Sequence, residues 1–251
     1  MQLKPPLVLL YHGLAEVPRA LDPANLMVEP NRFRRQIELL KDRGYSFVTV
    51  SAFVTRMDGG PPPSSLCALT FDDGTADNAH TLRELAEELD VPVTLYVCPG
   101  LLGRPNPFMP AEAGIRLMDA DELKSISQHP LFELGAHTNE HTDLSSAGAE
   151  EAYRELSESK AALEELIGKE VHTFAYPGCS YSPHCPEAAR RAGYLSAVTC
   201  AHLGGWQPHE LQREHVHARD GSLSFGLKVR GLYRPLYNSA EAVPFAGRRG
   251  R

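Results

Sequence analysis

The sequence has no apolar run approaching the ~20 residues that a membrane-spanning helix needs. Its opening, Met1-Gln2-Leu3-Lys4-Pro5-Pro6, offers no hydrophobic leader either. No membrane span is expected, and a cytoplasmic location is the expectation that follows. An excess of cations is also missing: 25 Lys and Arg stand against 32 Asp and Glu, for a net charge of -7. That balance excludes general nucleic-acid binding, which needs a basic footprint to displace phosphate counterions. Only the end, Gly247-Arg248-Arg249-Gly250-Arg251, is basic, and a short charged terminus of this kind is expected to be solvated.

Cysteine is scarce and lacks the paired C-x-x-C spacing of a structural zinc site. The five present, at 67, 98, 179, 185 and 200, are odd in number and are expected to be free thiols. Cys67 and Cys98 fall in apolar runs and read as small core residues. A second metal site built from Cys179, His184, Cys185, Cys200 and His202 is conceivable by residue type but has no spacing to support it. Internal repeats and compositional breaks are absent too, so residues 1–251 are expected to form a single domain. At 251 residues the chain matches the roughly 250 typical of one α/β barrel.

Short β-like runs alternate with amphipathic helical stretches, the pattern of βα units that build a parallel sheet or barrel. Strands are expected at 7–11, 47–50, 67–71, 93–97, 131–136, 171–175, 195–199 and 211–216. Helices are expected after Pro30 as far as Gly44, and over 79–89, 119–126, 149–167, 187–192 and 222–232. The stretch 101–118 has no clear period and reads as a loop over the site.

Three features fall at the C-terminal ends of these strands, where a parallel barrel carries its chemistry. The first is Thr70-Phe71-Asp72-Asp73-Gly74. Adjacent carboxylates there diverge, so one can bind a cation while the other faces a water molecule. The second is His137-Thr138-Asn139-Glu140-His141. Two imidazoles four residues apart are expected on one side of a helical turn, gripping one metal. The motif is not H-E-x-x-H, so the base must lie elsewhere, and Asp72 is available. The third, Phe174-Ala175-Tyr176-Pro177-Gly178, has a rigid turn whose Gly178 N–H can stabilise an oxyanion.

With these motifs the chain resembles the polysaccharide deacetylases of carbohydrate esterase family 4, and Phe-Ala-Tyr-Pro resembles the branch that deacetylates poly-N-acetylglucosamine. The resemblance implies an α/β fold, a distorted, incomplete (β/α) barrel of about seven parallel strands. It also implies Asp72 as general base and Asp73, His137 and His141 as metal ligands. Two departures follow. Ala175 stands where the family usually has an Arg that orients the base, and Arg213 on a later strand is expected to replace it. The late Leu-x-His motif of the general acid is absent, and His215 or His217 is expected to take its place.

His12 at the end of the first strand, Tyr176, and the single Trp, Trp206, are candidates to contact substrate. The expected cofactor is a divalent metal, Zn²⁺ by donor type, with Co²⁺, Ni²⁺ and Fe²⁺ as alternatives. The expected reaction is removal of an N-acetyl or close acyl group from an amino sugar. The alternatives are another C–N amide hydrolase, such as a deformylase or cyclic amide hydrolase, or an inactive carbohydrate-binding relative. A structural-metal protein is a weaker fit, because structural zinc sites usually close with four protein ligands.

Overall fold

The computed structural model describes residues 4–200 and 205–231. Its strands in chain order are β1 (Leu7–Tyr11), β2 (Gly13–Leu14), β3 (Met27–Val28), β4 (Ser46–Val48), β5 (Leu66–Phe71), β6 (Val93–Val97), β7 (Phe132–Ala136), β8 (Thr173–Ala175), β9 (Ser196–Cys200) and β10 (Leu211–His215). The helices are α1 (Pro30–Asp42), α2 (Val50–Thr55), α3 (Thr81–Glu88), α4 (Ala120–Ser127), α5 (Ala149–Ile167), α6 (Cys185–Arg191) and α7 (Ser222–Val229).

β1, β5 and β6 are buried along their whole length, which is why they read as unbroken apolar runs: a parallel strand in a barrel has packed neighbours on both faces. Their pairing closes a ring. β1 pairs in parallel with β5 from Leu7 opposite Cys67 to Tyr11 opposite Phe71, and with β10 through Leu9–Glu214 and Leu10–His215. The ring runs β1-β10-β9-β8-β7-β6-β5 and returns to β1, giving a closed barrel of seven parallel strands, one short of eight. β4 is a stub on the lower half of β5, opposite residues 66–68, while β6 takes the upper half. The joint between β7 and β8 is a single registered pair, Ala136–Phe174, the shortest pairing in the ring.

Val8, Ala68, Tyr96, Ala175, Val198 and Leu211 belong to one buried cluster inside the barrel. A larger layer packs the helices outside, with Phe33, Ile37 and Leu40 of α1 and Leu156, Leu163 and Ile167 of α5 facing in. Pro30 opens α1 at a position where a missing N–H is harmless, and Asp119 and Glu122 close a capping box on α4. Gly168, at φ 67°, ends α5 in the left-handed region.

The structure corrects several expectations. Val50 begins α2 instead of ending a strand, with the Thr49 side chain accepting from the Ala52 N–H at 3.4 Å. α3 starts at Thr81 after a 3-10 turn over Ala76–Ala79, and α7 ends at Val229. The expected extension of α7 to Leu232 and the basic end 247–251 lie outside the described residues. Cys179 and Cys200 are joined in a disulfide, their Cα atoms 5.4 Å apart, so the expectation of five free thiols holds only for Cys67, Cys98 and Cys185. Residues 21 apart in sequence meet because β8 and β9 are neighbours whose upper ends carry them. This pairing also removes two donors from the conceivable second metal site. Cys185 hydrogen-bonds to Ser182 and to the Leu144 carbonyl, and His202 lies outside the described residues.

Candidate active site

The upper rim of the barrel gathers the strand ends. Because Leu10 is level with both Thr70 and His215, the upper ends of β1, β5 and β10 share one corner, which holds His12 and Asp72 just past their strands and His215 at the end of its own. Asp72 is 4% exposed and meets Arg213, which is fully buried, in a bidentate pair with Nη1–Oδ1 at 2.7 Å and Nη2–Oδ2 at 2.8 Å. The guanidinium is fixed further by Thr70 Oγ1 at 3.1 Å and the Thr199 carbonyl at 3.3 Å, and it lies over the Tyr96 ring. Burial pushes the Asp72 carboxyl up, but Arg213, His137 and His12 outweigh it, and the net shift is downward. Asp72 is therefore held ionised. Ala175 leaves the β8 position without a cation, and Arg213 reaches the same carboxylate from β10, as the sequence led us to expect.

Asp73 points elsewhere. Its backbone is left-handed, at φ 69°, a conformation that breaks the strand's regular alternation just after Asp72. Asp73 Oδ1 lies 3.6 Å from His137 Nε2 and 3.7 Å from His141 Nε2, and it is buried with no hydrogen-bond partner among the described residues. His137 Nδ1 donates to the Ala175 carbonyl at 2.7 Å, which fixes the tautomer and leaves Nε2 facing Asp73. The three candidate ligand atoms lie within 4.8 Å of one another. Burial lowers both imidazoles, His141 to about 3 with the help of His137, so both are neutral at pH 7, the form that binds a metal. An orphaned carboxylate oxygen between two neutral imidazole nitrogens fits a divalent cation.

The histidines are not on a helical turn, contrary to expectation. A loop in which Thr138 and His141 both have φ 57° carries them, closed by Thr138 Oγ1 accepting from the Thr142 N–H at 2.8 Å. Gly100 packs directly on this loop. Its N–H donates to the Asn139 carbonyl at 2.9 Å, and a Cβ there would sit 2.8 Å from that oxygen. The long loop over 101–118 does reach the site, placing the Phe108 ring 4.4 Å from that of His141.

The remaining candidates divide. His12 and His215 rings stand 5.2 Å apart, and His217 continues the row at 4.0 Å. His12 Nδ1 and His215 Nε2 are buried without hydrogen-bond partners among the described residues. Burial lowers His12 to about 4, and burial with the cations around it takes His215 well below the usual range. Gly178, exposed at φ 58°, crowns the turn after β8.

Tyr176 is not at the surface of the site: it is fully buried, stacked on Tyr181, and its hydroxyl donates to the His209 carbonyl at 2.9 Å. Trp206 precedes β10, packs beside Phe53, and borders a cavity with Met57, Pro61 and Pro208 at the lower end of the barrel. It is thus remote from the carboxylates. Gly204 of its loop lies outside the described residues. Phe108 and Tyr96 are neighbours of the site that the sequence did not single out, though an aromatic residue inside a long loop over strand ends is a usable signal.

The sequence model of the polysaccharide deacetylase family matches residues 59–197. The chain belongs to the polysaccharide deacetylase family. The matched segment carries Asp72, Asp73, His137, His141 and Gly178, and it stops before Arg213 and the late histidines. Among curated proteins, none matches this sequence. Solved structures of similar fold include the Streptococcus pyogenes deacetylase PplD in complex with acetate, at 23% identity and TM-score 0.70, covering 87% of this chain and 95% of that one. IcaB from Ammonifex degensii matches at 20% identity and TM-score 0.73, covering 93% and 98%. A de-N-acetylase from Aggregatibacter actinomycetemcomitans matches at 18% and 0.71, covering 88% and 98%. These likenesses support the deacetylase barrel as the shared fold.

Proposed function

We propose that this polysaccharide deacetylase is a metal-dependent hydrolase that removes an N-acetyl or closely related acyl group from an amino sugar or its glycoconjugate. The observation that carries this reading is the division of the Asp72-Asp73 pair. One carboxylate is locked to Arg213 and kept ionised, while the other is turned, unpartnered, between two neutral imidazoles. A binding module has no use for a buried ionised carboxylate beside a set of three ligands.

Asp73, His137 and His141 would hold the cation, with Zn²⁺ best suited to two nitrogens and one carboxylate and Co²⁺, Ni²⁺ or Fe²⁺ sharing the preference. When bound, such an ion lowers the pKa of water toward ~7 and polarises a carbonyl. Asp72 accepts the proton of the attacking water, and Arg213 keeps its carboxylate oriented and charged until then. The N–H of Gly178, an exposed residue on the turn after β8, would serve the oxyanion of the tetrahedral intermediate. The leaving nitrogen then takes a proton from the late-strand histidine at the rim. His12, its ring 5.2 Å from that of His215, lines the same corner of the site.

The test is release of acetate from N-acetylhexosamine oligomers of increasing length, with added divalent metal. Metal-dependent release from at least one oligomer is expected. Binding of the oligomers without any release would identify a carbohydrate-binding relative instead, and release of formate alone would redirect the reading to a deformylase.

A further inference from the structure

Below the row of histidines lies a buried ion pair that the reaction outlined above does not use. Lys228, on α7, is 2% exposed, and its Nζ lies 2.6 Å from Asp220 Oδ2, itself 6% exposed. The same ammonium donates to the main-chain carbonyl of His215 at 2.7 Å, and the same carboxylate oxygen accepts the main-chain N–H of His217 at 2.9 Å. The pair thus grips the backbone on both sides of Val216, where β10 leaves the barrel. Taking a full charge of each sign out of water is expensive, and a packed apolar pair would be as stable or more so. A buried pair whose hydrogen bonds end on the carbonyl of His215 and the N–H of His217 is placed to fix the direction in which the backbone leaves His215.

We infer that Lys228 and Asp220 are positioning residues that hold the end of β10 so that His215 presents Nε2 to the leaving nitrogen. The inference rests on the deacetylase reading. Arg213 and His215 are two apart on β10 and share its inward face, so the cation that orients the base and the imidazole that serves the leaving group lie on one strand. His215 Nε2, though buried, makes no hydrogen bond among the described residues, so it is not committed to a protein partner. As the C–N bond breaks, its electron pair goes to nitrogen, which takes the proton from Nε2. The proton that Asp72 took from water replaces it, and the turnover is balanced: amide and water become amine and acid.

A leaving group that departs as a stable anion needs no such proton, which makes the inference separable from general damage to the barrel. The metal-loaded full chain and its double variant Lys228→Met/Asp220→Asn would be compared on an N-acetylated amino-sugar oligomer and on 4-nitrophenyl acetate. The double variant removes both charges together and so avoids stranding one of them. It is expected to lose about 10²-fold in kcat on the amide, the scale of a misplaced catalytic group, and to keep ester turnover within about threefold. The single variant Lys228→Met should show the same amide-to-ester split wherever it folds with an unchanged melting curve. Equal loss on amide and ester, or no loss on either, overturns the inference while the deacetylase reading stands. A wild-type chain that releases acetate from neither substrate overturns both.

Discussion

Arg213 offers the sharpest test of how the site is held together. Its guanidinium makes two charge-assisted hydrogen bonds to Asp72, at 2.7 and 2.8 Å, with no exposure of its own. Hydrogen bonds to charged groups contribute about 1.5–3 kcal/mol each, and breaking one partner out of a buried pair costs about 3–5 kcal/mol. Arg213→Met keeps the bulk and removes the charge, so it should destabilise the metal-free protein by about 3–5 kcal/mol at neutral pH in urea unfolding. The sign with pH follows from Asp72. In the wild type its folded pKa is depressed, so its stabilisation is present above the unfolded value and is lost as pH falls through the folded one. In the variant, burial acts without its largest counterweight, so the carboxyl moves up and protonation relieves the penalty. The stability gap between the two proteins should therefore narrow as pH falls, and the acidic limb of kcat/KM for the metal-loaded enzyme should shift to higher pH. A gap below about 1 kcal/mol, the range of an exposed pair, together with an unmoved limb would refute the role given to Arg213.

Two further outcomes follow from the geometry. Asp73→Ala, His137→Ala and His141→Ala should each lose stoichiometric metal while keeping the circular dichroism of the barrel, because a site with three protein ligands cannot spare one; full metal occupancy in any two of them would contradict the ligand set. Gly100→Ala should displace the loop that carries both histidines, since its Cβ would lie 2.8 Å from the Asn139 carbonyl oxygen, at a stability cost of about 1–3 kcal/mol and with weakened metal binding; unchanged metal affinity by titration would show that the contact does not position the ligands.

Much of this architecture was legible because burial on both faces leaves a plain signature. β1 and β6 match the apolar runs residue for residue, and α5 is bounded at Ala149 and Ile167 by its helical period and Gly168. α2 was not legible. Its sequence, Val-Ser-Ala-Phe-Val-Thr, is β-branched, and its first turn is pinned by distant side chains: Thr94 accepts from the Val50 N–H at 3.0 Å, and Glu133 accepts from Ser51. Tertiary contacts override propensity there. Arg213 could be found because Ala175 leaves a buried carboxylate in need of a cation.

Tyr176 and Trp206 were misplaced for the opposite reason: an aromatic residue announces packing or stacking but not which end of a barrel it occupies. The same holds for Cys179 and Cys200, whose pairing depends on β8 and β9 being neighbours and not on any spacing. The left-handed conformations at Asp73, Thr138 and His141 were invisible as well, since none of the three is glycine. These three stand where the carboxylate and imidazoles must converge, and functional sites are places where such backbone strain is tolerated.

The most direct measurement of the central claim compares Asp72→Asn with the wild type, after chelation and reconstitution with one equivalent of Zn²⁺, for metal content and for acetate released from N-acetylglucosamine oligomers. Asn has nearly the shape of Asp but cannot take a proton. The account predicts equal metal content and a fall in deacetylation of at least about 10²-fold, the lower end for general base catalysis. Acetate release at the wild-type rate by the metal-replete variant would contradict it.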